Sequence, residues 1–572
     1  MYNNERSIEL IVDLLKENNI KKIVISPGGT NIPIVKRIQV DSFFECYSIV
    51  DERSALYFAV GLYLQSKEYI AVVCTSAQAT RNYIPGLTEA FYKKVPILAI
   101  TMEKHPRFKY QGYMQAPDQT SLPIDCIKKS YELPFVHDIN DFYHSKRLIN
   151  EAILELNHNG LGPVQLCVPW LDFKIDEIEH KITKIERNYI NEIEKINFDN
   201  KKLMIIIGEN LEFNDVDKKI IDEFCERTNC FIYTNHLSNF HNKFSINANF
   251  LLSTINDDEF EILKPDIILS IGGQTGDYPL YLRFSKTKYN DIENWLISED
   301  GNVMDTYDKL TKIYQGKVID FFKKVESKKG VDHTLYNVWN DMNKRINSNI
   351  ELPFSNAYIA QYMHKIIPEE SIMQFSILNS LRVWNLFDLP ETIKCYSNVA
   401  AFGIDGGMST LIGQSMITNN LAFMIIGDLA FYYDMNSLGI RHIKNNLRIL
   451  LINNNGGVEF KLHGENRKET DKYIAAANHF KNAKAWAESC NFIYYSANSI
   501  KEFKDNVDNF ISFSDRPIIF EIFTNDIDEK EAYTRLIEAN KQKDFVEELK
   551  YRIKGKIKEK IGNEIIEKIK RR

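Results

Sequence analysis

Gly427-Asp428-Leu429 and, about two dozen residues on, Asn453-Asn454-Asn455-Gly456-Gly457 are the residues whose types and spacing can do chemistry. An apolar strand is expected before each cluster, at 421–426 and 447–452, with a helix over 431–444 between them. Such a strand–turn–helix–strand unit puts the polar residues at the carboxyl ends of both strands, the edge at which open α/β sheets bind ligands. Asp428 and one Asn of the triplet can hold a hard cation there through oxygen atoms. Mg²⁺ bound by few protein oxygens keeps positions open for phosphate oxygens, and the glycines let the backbone approach a diphosphate closely.

The elements that must position these residues fall into three α/β stretches. Over 1–185, strands are expected at 22–26, 44–48, 70–75, 96–101 and 164–168. Helices fit 7–18, 52–66, 80–93 and 142–157. This alternation implies a parallel sheet with helices on both faces. A charge-rich segment, 174–201, reads as a linker. Strands recur at 203–207, 230–233, 266–271 and 294–297, giving a central unit over 195–328. A third unit spans 350–535 and carries the opening motif, and 536–572 reads as a basic helical tail. The first and third units are compatible with one shared fold. The fold class is therefore α/β, with three doubly wound parallel-sheet domains.

Composition excludes several classes of function. The chain has 572 residues, 44% hydrophobic and 26% charged, as in a water-soluble globular protein, with a net charge of −7 that argues against nucleic-acid partners. No run of 18 apolar residues exists, so no membrane span is expected, and the N-terminus lacks an apolar leader core. Eight scattered cysteines without a CxxC pair suggest reduced core thiols and a cytoplasmic location.

Seven separated segments together resemble the thiamine diphosphate enzymes: Ser26-Pro-Gly-Gly, Asp51-Glu-Arg-Ser-Ala, Val73-Cys-Thr-Ser, Gly162-Pro-Val, Gly403-Ile-Asp-Gly, Gly427-Asp-Leu and Asn453-Asn-Asn-Gly-Gly. Within that superfamily the chain most resembles the synthase family of menaquinone biosynthesis, which joins a unit from 2-oxoglutarate to isochorismate. The resemblance implies a pyrimidine-binding domain (1–185), a central domain (195–328) and a diphosphate- and Mg-binding domain (350–535). It implies thiamine diphosphate and Mg²⁺ as cofactors. It also implies a homodimer or homotetramer with active sites at the subunit interface, Glu52 coming from one chain and Asp428 from the other.

Roles carry over residue by residue. Glu52 would face the aminopyrimidine ring as the catalytic carboxylate, favouring the tautomer that removes the thiazolium proton. The bulky Ile404 would bend the cofactor. Gly427, Leu429 and Ala430 would face the diphosphate. Asp428, Asn454 and the Gly456 carbonyl would bind the metal, with Asn453 or Asn455 as replacements for Asn454.

The pattern departs from the family where carboxylates are expected to bind. Family arginines are replaced at Thr30 and Val399, Trp384 takes a third such position, and the Gly of a Thr-Ser-Gly-Thr run becomes Ala77. Arginine suits carboxylates because its fork bonds both oxygens. The residues left to contact substrate are Thr30, Lys104, Gln115 and Arg382. The expected reaction is decarboxylation of a 2-oxo acid with transfer of the acyl unit to an acceptor other than that of the menaquinone pathway. The alternatives are the menaquinone-pathway reaction itself, a simple 2-oxo acid decarboxylase, or a non-catalytic scaffold. FAD is not expected, because Ile207-Gly208-Glu209 and Ile271-Gly272-Gly273 lack the GxGxxG pattern.

Overall fold

The computed structural model describes residues 4–171, 184–326, 331–462 and 469–541. Its strands form three sheets in which every pairing is parallel. The first contains β1 (Lys22–Ile25), β2 (Glu45–Ser48), β3 (Ile70–Cys74), β4 (Ile97–Lys104), β5 (Ser130–Glu132) and β6 (Val164–Trp170), in the order β2-β1-β3-β4-β6-β5. The second contains β7 (Glu186–Tyr189), β8 (Lys202–Ile207), β9 (Asn229–Thr234), β10 (Ser245–Asn247), β11 (Ile267–Ile271), β12 (Glu293–Ser298) and β13 (Leu310–Gln315), in the order β10-β9-β8-β11-β12-β13-β7. The third contains β14 (Ile372–Phe375), β15 (Lys394–Ser397), β16 (Ala422–Gly427), β17 (Leu447–Asn453), β18 (Ile493–Ala497) and β19 (Ile518–Phe523), in the order β15-β14-β16-β17-β19-β18.

Sheets one and three thus have the same strand order. Their central strands, such as β3 (IAVVC) and β17 (LRILLIN), are buried throughout. That is the signature of parallel strands covered by helices on both faces. Sheet one separates two cores, and sheets two and three share a large one, in which Phe231 stacks on Trp339 beside Phe375 and Leu381.

Several expectations need correction. The segment 174–201 is not all linker: β7 lies within it, at the edge of sheet two, and Ile190, Ile196 and Phe198 enter that sheet's core. Its polar sequence, Glu-Arg-Asn-Tyr, suits an edge strand and hides it from a hydrophobicity reading. The expected helix over 431–444 is much shorter. It runs Asp428–Tyr433 and gives way to a 3₁₀ turn, Met435–Gly439. The Asp434 carboxylate is engaged by the Ser409 backbone N–H and hydroxyl, and Gly439 follows. The helix expected over 80–93 breaks at Tyr83, just before Pro85. The tail expected over 536–572 falls mostly on 542–572, outside the described residues; the preceding helix ends at Ala539.

Candidate functional site

Both outer sheets reverse direction at their first strand. The chain goes from β1 to β2 on one side and then to β3 on the other, and likewise from β14 to β15 and then to β16. Crevices beyond the strand ends at such reversals are where ligands bind. Here the two crevices open on one cavity of about 400 Å³, walled by the turns after β1, β2 and β3 on one side and after β14, β16 and β17 on the other. Gly28 is required in this wall, since a Cβ there would lie 2.7 Å from the Thr75 side chain.

Glu52 opens the helix Glu52–Ser66, whose N-cap Asp51 accepts from the Ser54 N–H. Its carboxyl is buried and accepts a hydrogen bond from the Tyr433 hydroxyl at 2.8 Å. Burial pushes the carboxyl up to about 7, against the opposing effect of that hydrogen bond. The Tyr433 phenol is driven upward by its own burial and by Glu52, so it stays protonated and donates.

Asp428 is buried at the first turn of Asp428–Tyr433. One carboxylate oxygen accepts from the Leu429 N–H at 2.7 Å. The other accepts from the Gly456 N–H at 3.0 Å and lies 3.0 Å from His479 Nε2. His479 Nδ1 accepts from the Lys481 N–H, which leaves the ring proton on Nε2 for Asp428. Gly456 sits at φ +152°, where a Cβ would also meet Ala477 at 2.7 Å, so only glycine fits.

The Asn triplet divides its work. Asn453 Nδ2 donates to Glu521 and to the Lys481 carbonyl. Asn455 Oδ1 accepts from the Phe480 N–H. Asn454 lines the cavity, and its buried Oδ1 has no hydrogen-bond partner. A hard cation would satisfy that orphan, together with the Asp428 carboxylate and the remaining lone pair of the Gly456 carbonyl, which accepts once from Val458 N–H. The donor set therefore fits Mg²⁺. The Leu429 N–H is already taken by Asp428.

Of the other residues singled out in the sequence, Gly427, Ala430, Ile404 and Gln115 line the cavity. Thr30, Lys104 and Arg382 do not. Thr30 is buried with its N–H on Thr75 Oγ1. Lys104 is buried with its ammonium over the Tyr113 ring. Arg382 forms an ion pair with Glu459 and lies over Tyr278. Trp384 and Val399, expected as pocket residues, are fully buried in the core, the indole N–H of Trp384 donating to Asn356. Sequence reasoning missed Gln78, Asn82 and Asp405, which meet in the cavity wall across the two sheets. It also missed Tyr433 and His479, which stand outside any short motif. Glu52 and Asp428 were expected from different chains; here one chain supplies both, because its two outer sheets turn their strand ends to the same cavity.

Among the described residues, no Lys, Arg or His lines this cavity, whereas Glu52, Asp405, Asp428 and Glu459 do. Its rim also carries backbone strain. Ala77, Gln115, Leu378, Phe402 and Asn455 all have positive φ. Ala77, at φ 63° and ψ −111°, occupies a region suited to glycine, held there by Gln119, whose Oε1 accepts the Ala77 N–H at 2.7 Å.

A sequence model of the thiamine pyrophosphate enzyme N-terminal TPP-binding domain matches residues 6–122. The chain is 32% identical over 549 residues to the 2-succinyl-5-enolpyruvyl-6-hydroxy-3-cyclohexene-1-carboxylate synthase of Bacteroides fragilis, covering 92% of this chain and 97% of the relative. The synthase of the same name from Phocaeicola vulgatus is 32% identical over 546 residues (92% and 96% covered). That of Flavobacterium psychrophilum is 30% identical over 535 residues (90% and 95%).

Two outcomes follow from the geometry. Ala77→Gly relieves the strained turn at a smaller entropic cost, so it should raise stability by about 1 kcal/mol in urea unfolding; a loss of stability would sink the strain argument. Glu52 binds its proton more tightly folded than unfolded, so its contribution is full below about pH 4.5 and is lost as pH rises towards 7. Relative to Glu52→Gln, the ligand-free wild type should therefore lose on the order of 3 kcal/mol between pH 4 and pH 8. A flat difference between the two proteins would refute the buried-carboxyl assignment.

Proposed function

The chain belongs to the family of thiamine diphosphate-dependent 2-succinyl-5-enolpyruvyl-6-hydroxy-3-cyclohexene-1-carboxylate synthases, and on that premise we propose that it decarboxylates a 2-oxo acid and transfers the acyl unit to an acceptor, forming a C–C bond. The observation that carries this reading is the single cavity joining buried Glu52 to the Asp428–Asn454–Gly456 corner. We assign 1–185 as the pyrimidine-binding domain, 195–328 as the central domain and 350–535 as the diphosphate- and Mg-binding domain.

Thiamine diphosphate, when bound, supplies the carbon nucleophile and the electron sink for decarboxylation. Glu52 exchanges a proton with the aminopyrimidine ring; a carboxyl held at about 7 by burial can give or take that proton near neutral pH. Tyr433 orients it. Asp428, Asn454 and the Gly456 carbonyl would hold Mg²⁺, whose charge would offset that of the diphosphate. His479 and the Leu429 N–H fix the Asp428 carboxylate. Ala430 and Gly427 would face the diphosphate and Ile404 the body of the cofactor, since all three line the cavity. The surrounding apolar residues Ile32, Ile377 and Val458 keep water out.

The acceptor is expected to carry few carboxylates. With no cation among its described residues the wall offers a polyanion no fork, whereas Gln78, Asn82, Gln115 and Asp405 suit hydroxyls. Arg382 cannot serve as a fork while it neutralises Glu459. A second reading, the reaction named for the relatives, is favoured by their likeness along nearly their whole length. The buried, unpaired cysteines fit a cytoplasmic enzyme. A homodimer or homotetramer would bury Tyr57, Phe58 and Leu64, which are exposed on the helix that begins with Glu52.

Glu52→Gln should cut CO₂ release from the accepted 2-oxo acid by about 10²–10⁴-fold. Asn454→Ala should raise the Mg²⁺ requirement by about 10–100-fold with the protein still folded. Full activity in either variant would remove the assignment. Pyruvate and 2-oxoglutarate are then compared as donors, with isochorismate and neutral polyhydroxy carbonyl compounds as acceptors. Efficient conversion of 2-oxoglutarate with isochorismate would replace the first reading by the second.

A further inference from the structure

The turns Ile207-Gly208-Glu209 and Ile271-Gly272-Gly273 have no part in the reaction proposed above. They follow β8 and β11, the adjacent strands at which sheet two reverses direction. A Cβ on Gly208 would lie 1.9 Å from the Gly273 carbonyl oxygen, so the two backbones touch. Beyond them lies a separate cavity of about 310 Å³. Tyr113, Tyr281 and Tyr307 give it an aromatic wall, and Glu209, Ser270 and Asn294 a polar one. Gln274 Oε1, in its lining, is buried without a hydrogen-bond partner. Natural structures seldom leave such groups unmatched unless a ligand or water completes them.

The chemistry of the lining narrows the ligand. Among the described residues no Lys, Arg or His lines the cavity, so a phosphate or carboxylate would find no counter-charge there. Burial holds the Glu209 carboxyl up at about 7, so it can donate or accept near neutral pH. Aromatic faces beside neutral donors and acceptors suit a ring that carries hydroxyls. We propose that this central cavity binds a neutral, hydroxyl-bearing ring compound, a nucleoside or a monosaccharide, with the ring against the tyrosines and hydroxyls on Glu209, Gln274 and Tyr281. Three chain segments wall both this cavity and the first: Met114 with Gln115, Asp277 with Tyr278, and Ala400 with Phe402. Occupancy of one therefore bears on the backbone of the other.

The test uses the full-length protein and needs no thiamine diphosphate, so it stands or falls apart from the reaction proposed above. Adenosine and glucose are titrated by calorimetry, with AMP as the charged counterpart. Binding of adenosine identifies the nucleoside and binding of glucose the sugar, with AMP weaker than adenosine by about tenfold or more. Tyr281→Phe and Glu209→Gln should each weaken the bound compound about tenfold. Both variants are checked for folding by their thermal midpoints before titration. Lack of binding by both neutral compounds, AMP binding as tightly as adenosine, or undiminished binding by the two variants would overturn the proposal.

Discussion

Asp428 is a carboxylate buried at the end of a central strand, and a charge in that place persists only where its surroundings supply hydrogen bonds. It draws on three parts of the third sheet at once. The Leu429 N–H comes from its own helix, the Gly456 N–H from the turn after β17, and His479 from the segment beyond. Each supplier is fixed in turn. Gly456 needs a backbone conformation closed to other residues, and His479 is oriented by the Lys481 N–H. Asn453, Glu521 and Tyr494 form a second layer behind them. This corner is thus shaped by the donors that meet one buried carboxyl, and Asn454 Oδ1 is the acceptor left without a partner.

Glu52 obeys a different balance. Its partner is a neutral phenol, so burial prevails and its proton is retained to near neutral pH. The two carboxyl groups of one cavity thus differ in their partners: three donors meet Asp428, a single phenol meets Glu52. The strained residues Ala77, Leu378 and Phe402 lie on the turns between these groups, where the backbone is bent to bring both sheet ends to one space.

Much of this was legible in the sequence where the signal is local. The buried strands announce themselves as apolar runs, and β17 appears within a residue of its expected bounds. Edge strands β5, β7 and β10 do not, because each is three or four residues long and buries at most one of them, too little for a hydrophobic pattern. Asp428, Asn454 and Gly456 stood out by turn chemistry and spacing, Glu52 by the family resemblance, and all four line the one cavity. Arg382, Lys104 and Thr30 misled, since a residue type says what a side chain can bond but not which neighbour reaches it first. Glu459 reaches Arg382, and the Tyr113 ring lies under Lys104.

The sequence by itself determined three parallel α/β units and the polar turns at their strand ends, because periodicity and turn residues act over a few positions of chain. Tertiary structure alone decided that sheets one and three share a strand order and face one cavity. It also decided which asparagine keeps a free oxygen, and that among the described residues the wall has acids and amides rather than arginine forks. These depend on contacts between residues hundreds of positions apart, such as Asn82 with Asp405 and Glu52 with Tyr433. Such contacts exist only once the cores between the sheets have closed.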